Sequence, residues 1–192
     1  MVLLAKDDTG YKNLMKLVSI AHLDGYYYKP RIDLELLAKH HEGLIATSAC
    51  LQGMIPKILR EGNYEKAKET AGFLNEMMGN GNFYLELQDH PTISDQAKVN
   101  EGVIKISRDL GLPLIATNDS HYVSEDDAEA QEVLLCIQTQ KTLLDANRPL
   151  SMIDSPDFYI KTPEQMEQAF RKYPEALKNT IVLAEKCNLE IN

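Results

Sequence analysis

The chain has 192 residues, of which 44% are hydrophobic and 26% charged, so its composition is that of a soluble globular protein with one substantial core. Its three cysteines, Cys50, Cys136 and Cys187, are too widely spaced to suggest a disulfide framework, which favours a reducing cytoplasm. The formal net charge of −9 argues against a surface dedicated to gripping duplex phosphates, and the short apolar runs predict neither a signal peptide nor contact with a membrane.

Up to Thr117 the apolar spacing predicts an alternation of strands and helices. Helices are predicted where apolar residues recur at intervals of three and four, and strands where short apolar runs are bounded by Gly, Pro or Asn. The predicted strands are 2–6, 44–48, 83–88 and 114–117, and the predicted helices are 11–23, 64–78 and 96–110. Because strand and helix alternate, the sequence favours an α/β fold of parallel βα units.

After the fourth strand the pattern becomes helical and irregular. Ser124 precedes three acidic residues, which predicts the start of a helix, and residues 141–156 have the character of a loop. Thr162, Pro163 and Gln165 together form a helix start with an N-cap, a proline in the first turn and a capping box. Pro174 opens a last amphipathic helix, so the C-terminal part should be a helical tail.

Residues able to bind a metal follow three of the four predicted strands. Cys50 follows the second strand, Glu86 lies in the third with His90 two residues past its end, and Asp119 and His121 follow the fourth. The carboxyl ends of parallel strands meet at one edge of a sheet, so these side chains should converge. Thiolate, carboxylate and imidazole form a ligand set suited to zinc and tolerated by manganese. Such a site activates water and polarises a phosphoryl or carbonyl group.

Each of these residues also has a purely structural interpretation. Cys50 can be a small buried hydrophobic residue, and His90, next to a proline, can simply open a loop. Asp119 and His121 can form a turn with an Asx hydrogen bond. Glu86 on a buried strand is harder to explain without a site, since a buried carboxylate needs a partner.

The segment Tyr26-Tyr27-Tyr28-Lys29-Pro30-Arg31 is a second candidate site. Aromatic rings interleaved with cations can stack on bases and neutralise phosphates, which makes Lys29 and Arg31 candidates for nucleic-acid binding. The alternative is an amphipathic loop whose tyrosines pack under neighbouring helices, and composition alone favours this alternative.

Six long segments resemble one known family, in the same order along the chain. They are LLAKDDTGYKNLMKLVS, GYYYKPRID, GLIATSACLQGMIP, FYLELQDH, LPLIATNDSHY and LLCIQTQKTLLD. Together they resemble the PHP (polymerase and histidinol phosphatase) domain of the bacterial replicative DNA polymerase III alpha subunit. The resemblance implies a distorted barrel of seven βα units, with a metal cluster at the strand ends that hydrolyses phosphoesters and, in several polymerases, removes nucleotides from a 3′ end.

The resemblance also assigns roles to individual residues. Cys50, Asp119 and His121 match metal-ligand positions of the family, where zinc or manganese binds, whereas Glu86 and His90 lie in the matching strand without a definite role. Lys29 and Arg31 fall in a segment that faces either the site or DNA. Expected partners are DNA and other replicase subunits, reached through the parent polymerase, whose Mg²⁺-dependent nucleotide addition lies elsewhere in that protein.

One departure from the family pattern is large. The family's site begins with His-x-His, which does not occur in this sequence. We therefore expect a partial PHP-type barrel over residues 1–160 with its first strands missing, and a helical segment over 161–192 leading toward the polymerase core. Such a fragment should bind metal weakly or not at all and is prone to self-association through unpaired strand edges. Two alternatives remain open: a catalytically silent scaffold, and a free-standing metallophosphoesterase.

Overall fold

A computed structural model of the chain describes residues 1–191 and contains a four-stranded sheet in the order β1-β2-β3-β4. The strands are β1 (Val2–Ala5), β2 (Leu44–Thr47), β3 (Phe83–Gln88) and β4 (Leu114–Thr117). β2, β3 and β4 run parallel, as the alternation of strands and helices predicts. These four strands form an open sheet, so the closed barrel implied by the family resemblance is not observed within residues 1–191.

The prediction of parallel pairing is wrong for β1, which runs antiparallel to β2. The reason lies in a close approach of two glycines. Gly43, just before β2, packs on Gly10 in the first turn of the helix after β1, so closely that a Cβ on Gly10 would lie 1.9 Å from the Gly43 carbonyl oxygen. The Lys6 amide donates to the same carbonyl at 2.8 Å. The start of β2 therefore lies beside the end of β1, and the two strands run in opposite directions.

Helices occupy most of the chain between and after the strands. Within residues 1–191 they are α1 (Asp8–Leu23), α2 (Leu34–Lys39), α3 (Met54–Arg60), α4 (Tyr64–Met78), α5 (Ser94–Leu110), α6 (Ala128–Thr139), α7 (Pro163–Ala169) and α8 (Pro174–Lys186), with a 3-10 turn at Glu125–Asp127. The long helices α1, α4 and α5 agree with the predicted segments, whereas α3 is too short for its apolar spacing to predict a helix. None of the described helices is both long and apolar enough to cross a membrane.

The two faces of the sheet pack against different helices. Alternate strand residues such as Leu44, Leu85 and Ala116 enter the main core together with apolar residues of α1, α4 and α5. The residues between them form a smaller cluster with Leu183 of α8: Ile45, Tyr84 and Ile115. Polar contacts add to this cluster, since the amide of Asn179 donates to the Leu114 carbonyl at 2.7 Å. The tail helix α8 thus packs directly on the sheet.

The segment between β4 and α7 is held together by its own contacts. The backbone amide of His121 donates to the Phe158 carbonyl at 2.7 Å, which brings the two ends of the segment side by side. In its middle, the buried carboxylate of Glu132 on α6 accepts from Arg148 Nε at 2.9 Å and from the Met152 amide at 2.9 Å. The predicted loop 141–156 is therefore anchored to α6.

Candidate metal centre

A cavity of about 470 Å³ lies beyond the carboxyl ends of the parallel strands. Its wall includes Cys50 from the turn after β2, His90 from the end of β3, and Asp119 and His121 from the turn after β4. The convergence follows from the parallel pairing, which places all three strand ends at one edge. The structure thus brings together four of the residues singled out in the sequence.

The two turns that carry Cys50 and Asp119 have the same unusual backbone. β2 and β4 share the sequence Leu-Ile-Ala-Thr, and the second residue after each strand is in the left-handed region: Ala49 has φ 60° and Asp119 has φ 48°. Residues other than glycine rarely adopt this conformation, and it is found preferentially at functional sites. The repeated turn directs both loops toward the cavity.

The thiol of Cys50 is half-buried and lies in the same cavity wall as Asp119. Burial of the thiol, with a further contribution from the negative charge of Asp119, raises the pKa of Cys50, although a hydrogen bond from the Gln52 backbone acts in the opposite direction. The thiol is therefore protonated at neutral pH. A metal ion would have to displace that proton in order to use the sulfur as a ligand.

The imidazole of His121 is oriented by its own loop. Its Nδ1 lies 2.6 Å from the carbonyl oxygen of Asp119, and because a carbonyl only accepts, Nδ1 carries the proton. Nε2 is then left with a free lone pair. A ring nitrogen bonded to a backbone carbonyl while the other stays available is the usual arrangement of metal-binding histidines.

The fit to a metal ion is nevertheless partial. Within residues 1–191, no three His, Cys, Asp or Glu side chains lie close enough together to hold one ion. The donor types of Cys50, Asp119 and His121 suit zinc or manganese, but their arrangement supplies only part of a coordination shell.

Glu86 has a different environment from the cavity residues. Its carboxylate is buried on the α8 side of the sheet, where Oε1 accepts from the Thr47 hydroxyl and, at 3.0 Å, from the Ala49 amide. Oε2 accepts from the Thr117 hydroxyl at 2.6 Å. Both oxygens are thus engaged in joining the ends of β2, β3 and β4. The sequence signal for this role is the threonine that ends each of the two Leu-Ile-Ala-Thr sequences.

His90 is buried in the cavity wall with an exposed fraction of 2%. Its ring stacks on Phe158 with centroids 4.2 Å apart, and neither ring nitrogen has a hydrogen-bond partner within the protein. Burial, reinforced by the charge of Lys161, lowers the pKa of His90, so the imidazole is uncharged at neutral pH. Gln96 on α5 lines the same cavity and was not singled out in the sequence.

Lys29 and Arg31 lie in an exposed loop and do not line the cavity. The neighbouring tyrosines are between 61% and 79% exposed, so the alternative in which they pack under helices is wrong. The Arg31 guanidinium lies 5.1 Å from the centre of the Tyr27 ring. The segment presents an aromatic and cationic surface, and its role in nucleic-acid binding stays a prediction.

Known proteins provide an independent comparison for this chain. Residues 1–90 match the family model of the PHP domain. The DNA polymerase III subunit alpha of Borreliella burgdorferi is 50% identical over 188 residues, which cover 98% of this chain and 16% of that protein. The subunits of Treponema pallidum, 44% identical over 191 residues, and Helicobacter pylori, 45% identical over 202 residues, each match 100% of this chain and 16% of their own length.

The chain therefore spans about 16% of the length of these curated relatives. The matches confirm the resemblance inferred from the sequence: the chain is homologous to a PHP-domain-containing part of the DNA polymerase III alpha subunit.

Proposed function

We propose that this chain acts as the PHP-domain segment of a bacterial replicative DNA polymerase and reaches DNA and the other replicase subunits through that longer protein. Identities of 44% to 50% over nearly the whole chain support the assignment. In this proposal Mg²⁺-dependent nucleotide addition belongs to other parts of the polymerase. The segment supports the polymerase architecture and contributes phosphoesterase chemistry of the 3′ exonuclease type.

The observation that carries the chemical part of the proposal is the shared cavity of Cys50, Asp119 and His121. These residues would supply a thiolate, a carboxylate and a neutral imidazole to zinc or manganese, with further ligands from outside the described residues. A metal ion held there supplies Lewis acidity, which polarises a phosphoryl group and activates water. Within this chain, the two left-handed turns position the sulfur and the carboxylate, and the Asp119 carbonyl orients His121.

Substitution of Asp119 in a full-length polymerase that carries this segment tests the hydrolytic role. Asp119→Asn should abolish metal-dependent 3′ exonuclease activity and leave nucleotide addition intact. Asp126→Asn is a matched control because Asp126 is exposed and lies outside the cavity. Exonuclease activity in Asp119→Asn equal to that of the control would refute the assigned role.

A second candidate, a catalytically silent scaffold, is favoured by one observation. No three metal-binding side chains converge within residues 1–191, whereas the buried Glu86 carboxylate joins three strands firmly. Elemental analysis of the purified 192-residue chain should find less than one zinc per chain, and stoichiometric binding of several ions would contradict an incomplete site. A scaffold is supported if Glu86→Ala in the full-length protein impairs nucleotide addition while Asp119→Asn changes neither activity.

We also propose that the isolated chain self-associates through β1. This strand lies at the edge of the sheet, and its first residue, Val2, is 45% exposed. An exposed edge with free backbone groups can pair with a second copy. Sedimentation velocity should show dimers that disappear when Leu3, which faces an apolar surface groove, is replaced by lysine.

A further inference from the structure

We propose that His90, Gln96 and Phe158 form a pocket for a nucleobase at the inner side of the cavity. The inference rests on the proposed function, because the base would belong to the nucleotide whose phosphate lies near Cys50 and Asp119. It adds a substrate-binding site to residues for which the family resemblance gives no definite role.

The pocket contains buried polar atoms that lack partners in the protein. Both ring nitrogens of His90 are unpaired, and so is Oε1 of Gln96, a residue with only 4% of its surface exposed. The other end of the Gln96 amide is already used, since Nε2 donates to Asn100 Oδ1 at 3.0 Å. Buried polar groups are almost always hydrogen-bonded, so these three atoms point to a polar ligand.

Two backbone turns order the segment that carries His90 and Gln96. The Ile93 amide donates to the His90 carbonyl at 3.0 Å, and the Gln96 amide donates to the Ile93 carbonyl at 3.0 Å. These two turns join the end of β3 to the first turn of α5. Phe158 covers one face of the His90 ring, so hydrogen bonding is left to the ring edge. The backbone bonds and the stacked Phe158 ring thus hold the edge of His90 beside α5.

The chemistry of the wall favours a flat, uncharged ligand. No lysine or arginine lines the cavity among the described residues, so the part around His90 and Gln96 offers no cation to an anionic group. The rest of the wall combines amides with apolar side chains, among them Gln52, Gln131, Ile93, Leu135, Leu150 and Met152. Glutamine amides pair with the donor and acceptor edges of bases, and apolar walls accept their faces.

The size of the cavity is compatible with a whole nucleotide. Ligand pockets typically measure about 300 to 1,000 Å³, and this cavity of about 470 Å³ includes both the His90 pocket and the Asp119 turn. In the full-length protein, a phosphate neutralised by the metal ion of the proposed function and a base against His90 and Gln96 would be the two parts of one nucleotide in one cavity.

Calorimetric titration of the 192-residue chain with two probes tests the pocket. The probes are 2′-deoxyadenosine 5′-monophosphate and 2-deoxyribose 5-phosphate, which lacks the base, both in the presence of a chelator. The nucleotide should bind at least about tenfold more tightly, because stacking and hydrogen bonds to the base are lost in the second probe. Equal affinities, or no binding of the nucleotide, would overturn the proposal.

Single substitutions in the pocket test whether His90 and Gln96 contribute to nucleotide affinity. Gln96→Leu and His90→Phe should each weaken nucleotide binding by about fivefold, as expected for one lost hydrogen bond, and leave 2-deoxyribose 5-phosphate unaffected. Gln168→Leu, on exposed α7, is the matched control. Should His90→Phe fail to fold, Gln96→Leu still decides, together with nuclear Overhauser contacts between adenine protons and the Phe158 ring. Unchanged affinity in Gln96→Leu, or an absence of those contacts, contradicts the pocket.

The outcome is separable from that of the hydrolytic proposal. Base-dependent binding combined with unchanged exonuclease activity in full-length Asp119→Asn would leave the pocket standing and remove the hydrolytic role. Loss of exonuclease activity in Asp119→Asn without base-dependent binding would support the hydrolytic role and refute the pocket.

Discussion

The ends of β2 and β4 have the same strand and turn structure, but the loops that follow them differ in exposure. Both strands have the sequence Leu-Ile-Ala-Thr, both donate a threonine hydroxyl to Glu86, and both are followed by a left-handed turn. After β2 the chain is mostly half-buried and soon enters α3, whereas after β4 it becomes exposed from Ser120 onward and continues as a long irregular segment. The same local sequence therefore gives the same strand and turn, and the environment of each loop is decided by what packs on it.

Glu86 is hydrogen-bonded to the ends of both β2 and β4, so its replacement should lower the free energy of unfolding most. Glu86→Ala leaves two hydroxyls and the Ala49 amide without their acceptor and opens a buried space, which should lower the free energy of unfolding by about 3 kcal/mol. Glu86→Gln keeps the volume and should cost about 1 to 2 kcal/mol. Urea denaturation measures both, and a loss below about 1 kcal/mol for Glu86→Ala would show that the two ends are held independently.

Substitution of Arg148 tests whether the two strand ends are independent, because Arg148 stabilises only the segment after β4. Glu132 is buried and bonded to Arg148 at 2.9 Å, so Arg148→Met leaves a buried carboxylate without its cation and should cost about 2 to 3 kcal/mol. Lys141→Met, a nearby exposed change, is the control. The loss should appear in urea denaturation, and the alkylation rate of Cys50 should hardly change if the two strand ends are independent.

The same ion pair predicts a pH dependence. Burial alone would raise the pKa of Glu132, but hydrogen bonds from the Met152 backbone and Ser151, with the charge of Arg148, bring it below its ordinary value of 4.5. A folded-state pKa below the unfolded one stabilises the protein fully above about pH 4.5, and this contribution is lost as the pH falls through the folded-state pKa. Glu132→Gln should therefore remove part of the loss of stability that occurs as the pH falls below about 4.5, as measured by the unfolding free energy at each pH.

Asn118 anchors only the end of β4, and its effect should be smaller. Its side-chain amide donates to the Tyr159 carbonyl, which fixes the turn to the far end of the irregular segment. Asn118→Ala should cost about 1 kcal/mol and shift the NMR signals of His121 more than those of residues near Cys50. Ser120→Ala, which removes a weaker bond of 3.3 Å to the same carbonyl, should cost less. Equal disturbance near Cys50 would mean that the two ends are coupled.

Substitutions in the two left-handed turns should change the free energy of unfolding least, and they should not lower it as the other substitutions do. Ala49→Gly relieves a left-handed backbone and should stabilise the protein by about 0.5 kcal/mol after the added chain entropy of glycine is counted. Asp119→Gly should be close to neutral, because aspartate already tolerates this conformation. Thermal denaturation compares the pair, and destabilisation by Ala49→Gly would show that the turn is not strained.

The local parts of the fold were predictable from the sequence. The segments 83–88, 114–117 and 64–78 agree with β3, β4 and α4, since their apolar patterns are set by which face they bury. The direction of β1 was not predictable, because it depends on the approach of Gly43 to Gly10, two residues that are far apart in the chain.

Some features of the candidate site were also predictable from the sequence, and others were not. The convergence of Cys50, Asp119 and His121 follows from the rule that parallel strands end at one edge. The environment of His90 and Gln96 does not, because it depends on Phe158, which reaches the cavity through the long segment after β4. The role of Glu86 as an acceptor for two threonines likewise required the register that pairs Gln88 with Thr117.

Helix α8 rests on a surface that three separate strands must first assemble. Its partners Ile45, Tyr84 and Ile115 come from β2, β3 and β4, and no single strand supplies the complete contact. Docking of α8 should therefore be a late event in refolding, after the parallel strands have paired. We expect amide hydrogens of α8 to exchange with solvent through a partial opening that leaves β3 protected. The last element to dock during folding would then be the first to detach.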